Sequence, residues 1–78
     1  MKLSYDPRHN IAYIRFAEEV AEVETLRISE ELNVDVSPAG KVYGIELLNA
    51  NEQLKSLIAG KFTLENEATG KTVEIALP

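Results

Sequence analysis

No cysteine occurs in this chain, and histidine occurs once. Without thiols there is neither a disulfide framework nor a thiolate zinc site, and one imidazole excludes the common histidine metal cages. Apolar runs are short too: SLIAG is far below the roughly 20 residues that cross a bilayer. The opening MKLSYD has neither the basic segment nor the apolar core of a signal peptide, which points to the cytoplasm. Basic residues are few and scattered, with 8 Lys and Arg against 13 Asp and Glu and a net charge of −5. Such a surface repels phosphate backbones, so direct binding of DNA or RNA is not expected. The acid excess sits in AEEVAEVE and SEE, where it serves solubility and also favours encounter with a basic protein.

At 78 residues a single domain buries little apolar surface. With disulfides and metals set aside, oligomerisation is the remaining common source of stability, and a homodimer is expected.

Strand patterns fill the first two thirds of the chain. In residues 2–6 Leu3 and Tyr5 alternate with Lys2, Ser4 and Asp6, the pattern of a half-buried strand. Asp6-Pro7 opens a turn in which the Asp6 carboxylate bonds backbone amides ahead of it, and Asn10 tolerates the left-handed conformation that closes many hairpins. IAYIRF (11–16) is apolar on both faces, as in a strand covered on both sides. VAEVETLRI (20–28) reads as a third strand whose alternation slips between Val23 and Leu26, which a bulge near Thr25 reconciles. Ser29 to Glu31 form a turn, and LNVDV then puts Leu32, Val34 and Val36 inward and Asn33 and Asp35 outward. SPAGK is a hairpin loop with Gly40 at positive φ, and VYGIELL returns as a fifth strand in which Gly44 admits a close neighbour.

After Asn49 the period changes. Leu54, Leu57 and Ile58 fall at helical spacing, with Asn49 or Asn51 to start the helix and Gly60 to end it. KFTL and KTVEIAL are extended and form either a hairpin about ENEATG or separate segments. The expectation is one α+β domain, mostly β. It comprises a five-stranded antiparallel β-meander over residues 1–50, one short helix over 51–60 laid on one face, and an extended segment or hairpin over 61–78. One short helix cannot cover both faces, so the second face, with Ile11, Tyr13, Val42 and Leu48, needs the C-terminal segment or a second chain.

YDPRHNIAYIRF, VAEVE and NVDVSPAGKVYGIELLNA together resemble the domain of unknown function 2283 family of small bacterial proteins, over residues 3–50. Tyr5, Asp6, Pro7, Tyr13, Ile14, Asp35, Gly40, Gly44, Ile45, Glu46 and Leu48 fall on the family's pattern. Ser37-Pro38 departs from its more acidic loop, and the segment after Gly60 lies outside it. The resemblance implies a β-meander followed by a helix, brings no activity, cofactor or catalytic residue, and carries an association with small toxin-like proteins that implies an antitoxin-like role.

Asp6, His9 and Asn10 gather metal-binding or proton-transfer groups in one turn, but turns collect these residues for backbone reasons and no second imidazole or activated nucleophile accompanies them. Asp35 lacks the clustered oxygens of a calcium loop, and no phosphate cradle or catalytic triad is present. Arg15 and Glu46 each interrupt an apolar strand and would fix register as a charge-assisted pair across the sheet or an interface. No catalytic, cofactor or metal residue is therefore assigned, and the interface candidates are Ile11, Tyr13, Arg15, Val42, Glu46 and Leu48. The preferred function is a protein-interaction module that binds a small basic protein through an acidic surface or strand edge. The alternative is a small enzyme or ligand-binding domain using the first turn with Arg15 and Glu46.

Overall fold

The computed structural model describes residues 1–17, 22–60 and 62–76. Seven strands and two short helices follow one another: β1 (Lys2–Asp6), β2 (Ile11–Arg15), β3 (Glu24–Ser29), β4 (Leu32–Val36), β5 (Val42–Leu48), α1 (Ala50–Gln53), α2 (Lys55–Ile58), β6 (Phe62–Asn66) and β7 (Lys71–Ile75). The first five strands form one antiparallel sheet, and β6 and β7 pair only with each other. The fold class is α+β, mostly β.

Each tight turn has a side-chain cause. Asp6 Oδ1 accepts from the Arg8 amide at 2.9 Å and the His9 amide at 3.4 Å, while Asn10 closes the β1–β2 turn at φ 57. Gly40, at φ 86, closes the β4–β5 loop, where its amide donates to the Ser37 carbonyl at 2.9 Å.

Strand order departs from the expected meander. It runs β1-β2-β5-β4-β3, so β5 rather than β3 lies beside β2. The link between β2 and β3, residues 16–23, is longer than a hairpin turn, so adjacency is not imposed on the strands it joins. Placing β5 there sets the Tyr13 ring over Gly44, where a Cβ on Gly44 would overlap the ring and its hydroxyl. The third strand starts at Glu24; Glu18, Glu19, Val20 and Ala21 lie outside the described residues. Its irregularity falls between Arg27 and Ser29, not near Thr25, because Thr25 stays in register with its hydroxyl 2.6 Å from Asp35 Oδ1. A second irregularity sets Val36 opposite Val42.

The single helix expected over 51–60 is two one-turn helices broken at Leu54 (φ −106, ψ 23). Their anchors differ. The Gln53 side-chain amide donates to the carbonyls of Glu31 at 2.8 Å and Leu48 at 2.6 Å, whereas Leu57 faces Met1 and Leu3, and the break lets each turn meet its own anchor. Gly60 at φ 88 ends α2 as expected. Asn49 precedes α1 without a side-chain cap. Asn10 caps it across space: its Oδ1 accepts from the Asn51 amide at 2.6 Å and its carbonyl from the Ala50 amide at 3.0 Å. Of the two C-terminal alternatives, the structure shows the hairpin. Among the described residues no helix is long and apolar enough to cross a membrane.

Candidate functional site

The pairing register sorts the five-stranded sheet into two faces, because residues directly opposite in antiparallel strands share a side. One face carries Leu3, Ile14, Ile45, Val34 and Leu26 in a row across β1, β2, β5, β4 and β3, with Tyr5, Ala12, Leu47 and Leu32 in the next row. The other face carries Ser4, Tyr13, Glu46, Asn33 and Arg27 in one row and Lys2, Arg15, Gly44, Asp35 and Thr25 in its neighbour.

Hydrogen bonds knit the polar face. The Tyr13 hydroxyl donates to Asp35 Oδ2 at 2.7 Å, Thr25 Oγ1 donates to Asp35 Oδ1 at 2.6 Å, and Asn33 Nδ2 donates to Glu46 Oε1 at 2.9 Å. Burial and, after it, the hydrogen bond to Asp35 push the Tyr13 phenol up to about 12. Such a phenol stays neutral at physiological pH and donates to Asp35. Ile11, Tyr13, Arg15, Glu46 and Leu48 all fall on this side. Arg15 sits diagonal to Glu46, yet no ion pair joins them; Glu46 is bound by Asn33 instead.

At the first turn His9 Nδ1 lies 2.6 Å from Asp6 Oδ2, and both side chains are exposed. This hydrogen bond, with the Arg8 and His9 amides, holds the Asp6 carboxyl below the usual carboxylate range. Among the described residues, no cluster of three His, Asp or Glu side chains suits a metal ion.

The apolar face is different in kind, and it is the candidate site. α1 packs over one corner, where Ala50 and Ala12 are buried and the Tyr5 hydroxyl donates to Asn51 Oδ1. Toward β3 the cover stops: Leu26 is 41 % exposed and Ile28 58 %. Among the described residues, Ala12, Ala50 and Leu57 are the buried apolar side chains, and no large one is fully enclosed. The accessible surface of 6105 Å² exceeds by roughly 1,400 Å² the roughly 4,700 Å² that mass scaling gives a compact monomer of 8.7 kDa. The radius of gyration, 14.1 Å, likewise exceeds the roughly 11.5 Å of a compact chain of this length.

Sequence reading put Leu3 with Tyr5 on one side of β1 and Leu32 with Val34 inward on β4, as the register has them, read β2 as covered on both sides, and expected the helix to lie across one face. It missed how small that cover is, because two broken turns span less of the sheet than one continuous helix. It also missed the Tyr13–Asp35–Thr25 network, which depends on strand order; the one local signal was Gly44, small and mid-strand.

The family described as protein of unknown function (DUF2283) matches residues 2–51, the five strands and the start of α1, and the chain belongs to that family. No curated protein and no solved structure matches the chain.

Proposed function

We propose that this family member is a cytoplasmic protein-interaction module, dimeric through its apolar sheet face, whose acidic exterior captures a small basic protein in the manner of an antitoxin. The observation that carries the reading is the β3 end of the apolar face, where Leu26 is 41 % and Ile28 58 % exposed beside the part-buried Val34 and Ile45. Apolar area contributes about 25 cal/mol per Å² when it leaves water, so a face of this kind favours association over solvation. The net charge of −5 supports a basic partner, since opposite charge speeds encounter and disfavours acidic competitors. The hydrogen bonds that tie Tyr13, Thr25 and Asn33 to carboxylates of the polar face support a structural use of those side chains, although Asn33 Oδ1 is buried without a partner among the described residues.

The test is solution mass by light scattering over a dilution series, comparing the native chain with Leu26→Glu on the apolar face and Arg15→Glu, exposed on the polar face. The expected outcome is a native dimer that Leu26→Glu converts to monomer and Arg15→Glu preserves, with the sheet's circular dichroism retained in all three. A native monomer overturns the reading, and a dimer broken by Arg15→Glu alone moves the contact to the polar face. Capture of a basic protein is read separately, as binding that weakens with salt and with neutralisation of Glu22 and Glu24. Glu18 and Glu19, in the same acidic stretch, lie outside the described residues.

A further inference from the structure

Resting on the apolar-face reading, we infer that the β6–β7 hairpin is an exchanged arm: its apolar side lies on the apolar sheet face of a second copy, and the second copy's arm returns the contact. The register divides this hairpin cleanly. Phe62 opposes Ile75 and Leu64 opposes Val73 on one side, while Thr63 opposes Glu74 and Glu65 opposes Thr72 on the other. A lone two-stranded hairpin is marginal in water, and this one carries two apolar pairs on one side, followed toward its tip by Asn66 opposite Lys71.

Its own chain covers that side only at the base. Phe62 and Ile75 line a cleft of about 280 Å³ with Met1, Leu3 and Leu57, whereas the outer pair, Leu64 at 59 % and Val73 at 58 % exposure, stays in solvent. Two apolar surfaces are therefore left over, one on the hairpin's outer half and one on the sheet beyond the helices. A two-fold axis satisfies both at once, since each copy offers one arm and one face. The surface excess points the same way: roughly 1,400 Å² per copy is enough to supply the roughly 800 Å² per partner that a standard interface buries. Gly60, at φ 88 with open space where a Cβ would stand, is the joint from which the arm departs.

The experiment is an isotope-filtered nuclear Overhauser measurement on the full chain, with carbon-13-labelled and unlabelled copies mixed one to one. It is paired with sedimentation of the double variant Leu64→Asp/Val73→Asp. These two side chains are exposed, so the variant leaves the five-stranded sheet intact, and the sheet's amide spectrum checks this. The expected result is intermolecular contact between the Leu64 and Val73 methyls and those of Leu26, Ile28 or Val34, with dimerisation weakened by roughly tenfold or more in the double variant. Intermolecular contacts that omit the hairpin, together with an unweakened double variant beside a monomeric Leu26→Glu, overturn the arm and leave the docking face standing. Hairpin contacts found only within one chain also overturn the arm. A monomeric native chain removes both.

Discussion

The Tyr13 hydroxyl reaches Asp35 across an empty position. Tyr13 on β2 and Asp35 on β4 are separated by β5, and the residue between them is Gly44, directly opposite both Arg15 and Asp35. The ring lies over the bare glycine backbone and the hydroxyl donates to Asp35 Oδ2 at 2.7 Å. Three strands are thereby fixed in order and register by one side chain, and Thr25, donating to the other Asp35 oxygen at 2.6 Å, extends the chain of bonds to the fourth.

Gly44→Ala tests this arrangement directly. The added Cβ occupies the Tyr13 ring position, so the ring must leave and the Asp35 bond is lost. Overpacking of this kind costs about 1–3 kcal/mol. Urea unfolding at fixed protein concentration should show that loss, and in a Tyr13→Ala background the same glycine substitution should cost almost nothing. Equal cost in both backgrounds would mean that Gly44 matters for a reason other than the ring.

Tyrosine titration gives a second test. The Tyr13 phenol is pushed up to about 12, first by burial and then by Asp35. Its folded value lies above the unfolded value of about 10, so its contribution is complete below pH 10 and is lost as pH rises from there toward 12. Ultraviolet difference absorbance, with Tyr13→Phe subtracted to isolate this phenol from Tyr5 and Tyr43, should place its ionisation above the ordinary range. Asp35→Asn should bring it part of the way back, the remainder being burial.

These same residues mark how far the sequence could be read. Alternation in LNVDV and in Leu3–Tyr5 assigns faces residue by residue, because side chains on a strand alternate whatever the neighbour is. The turns at Asp6 to Asn10 and Ser37 to Lys41 were legible for a similar reason: Asx bonding and positive φ are local events. Strand order was not. Which strand lies beside β2 depends on a steric match between Tyr13 and Gly44, 31 positions apart by their numbers, and no local period encodes it. Whether Arg15 and Glu46 meet within the sheet was not legible either, because it depends on Asn33, opposite Glu46 on β4, which bonds that carboxylate.

Asn10 shows a long-range role hidden in a turn residue. It adopts φ 57, and it also caps α1 through its Oδ1 and its backbone carbonyl while its Nδ2 donates to Asn49 Oδ1 at 3.2 Å. Asn10→Gly keeps the backbone conformation and removes the side-chain hydrogen bonds, for an expected loss of about 1 kcal/mol. Asn10→Ala adds left-handed strain of about 1 kcal/mol more. Urea midpoints should therefore fall in the order native, glycine, alanine. An alanine variant as stable as the glycine variant would show that the turn relaxes out of the left-handed region.

Salt separates the two kinds of contact proposed for this protein. Each copy carries −5, so two copies joined through an apolar face repel one another through their exteriors at low ionic strength. The screening length falls from roughly 30 Å at 0.01 M to roughly 8 Å at 0.15 M. Added salt should therefore tighten the dimer, whose attraction is burial of apolar area, and loosen capture of a basic protein, whose attraction is charge. Sedimentation equilibrium of the native chain at the two ionic strengths reads the first effect. A dimer that loosens as salt rises would be one held by charged groups, which would place the contact on the face of Lys2, Arg15 and Glu46 and not on that of Leu26 and Val34.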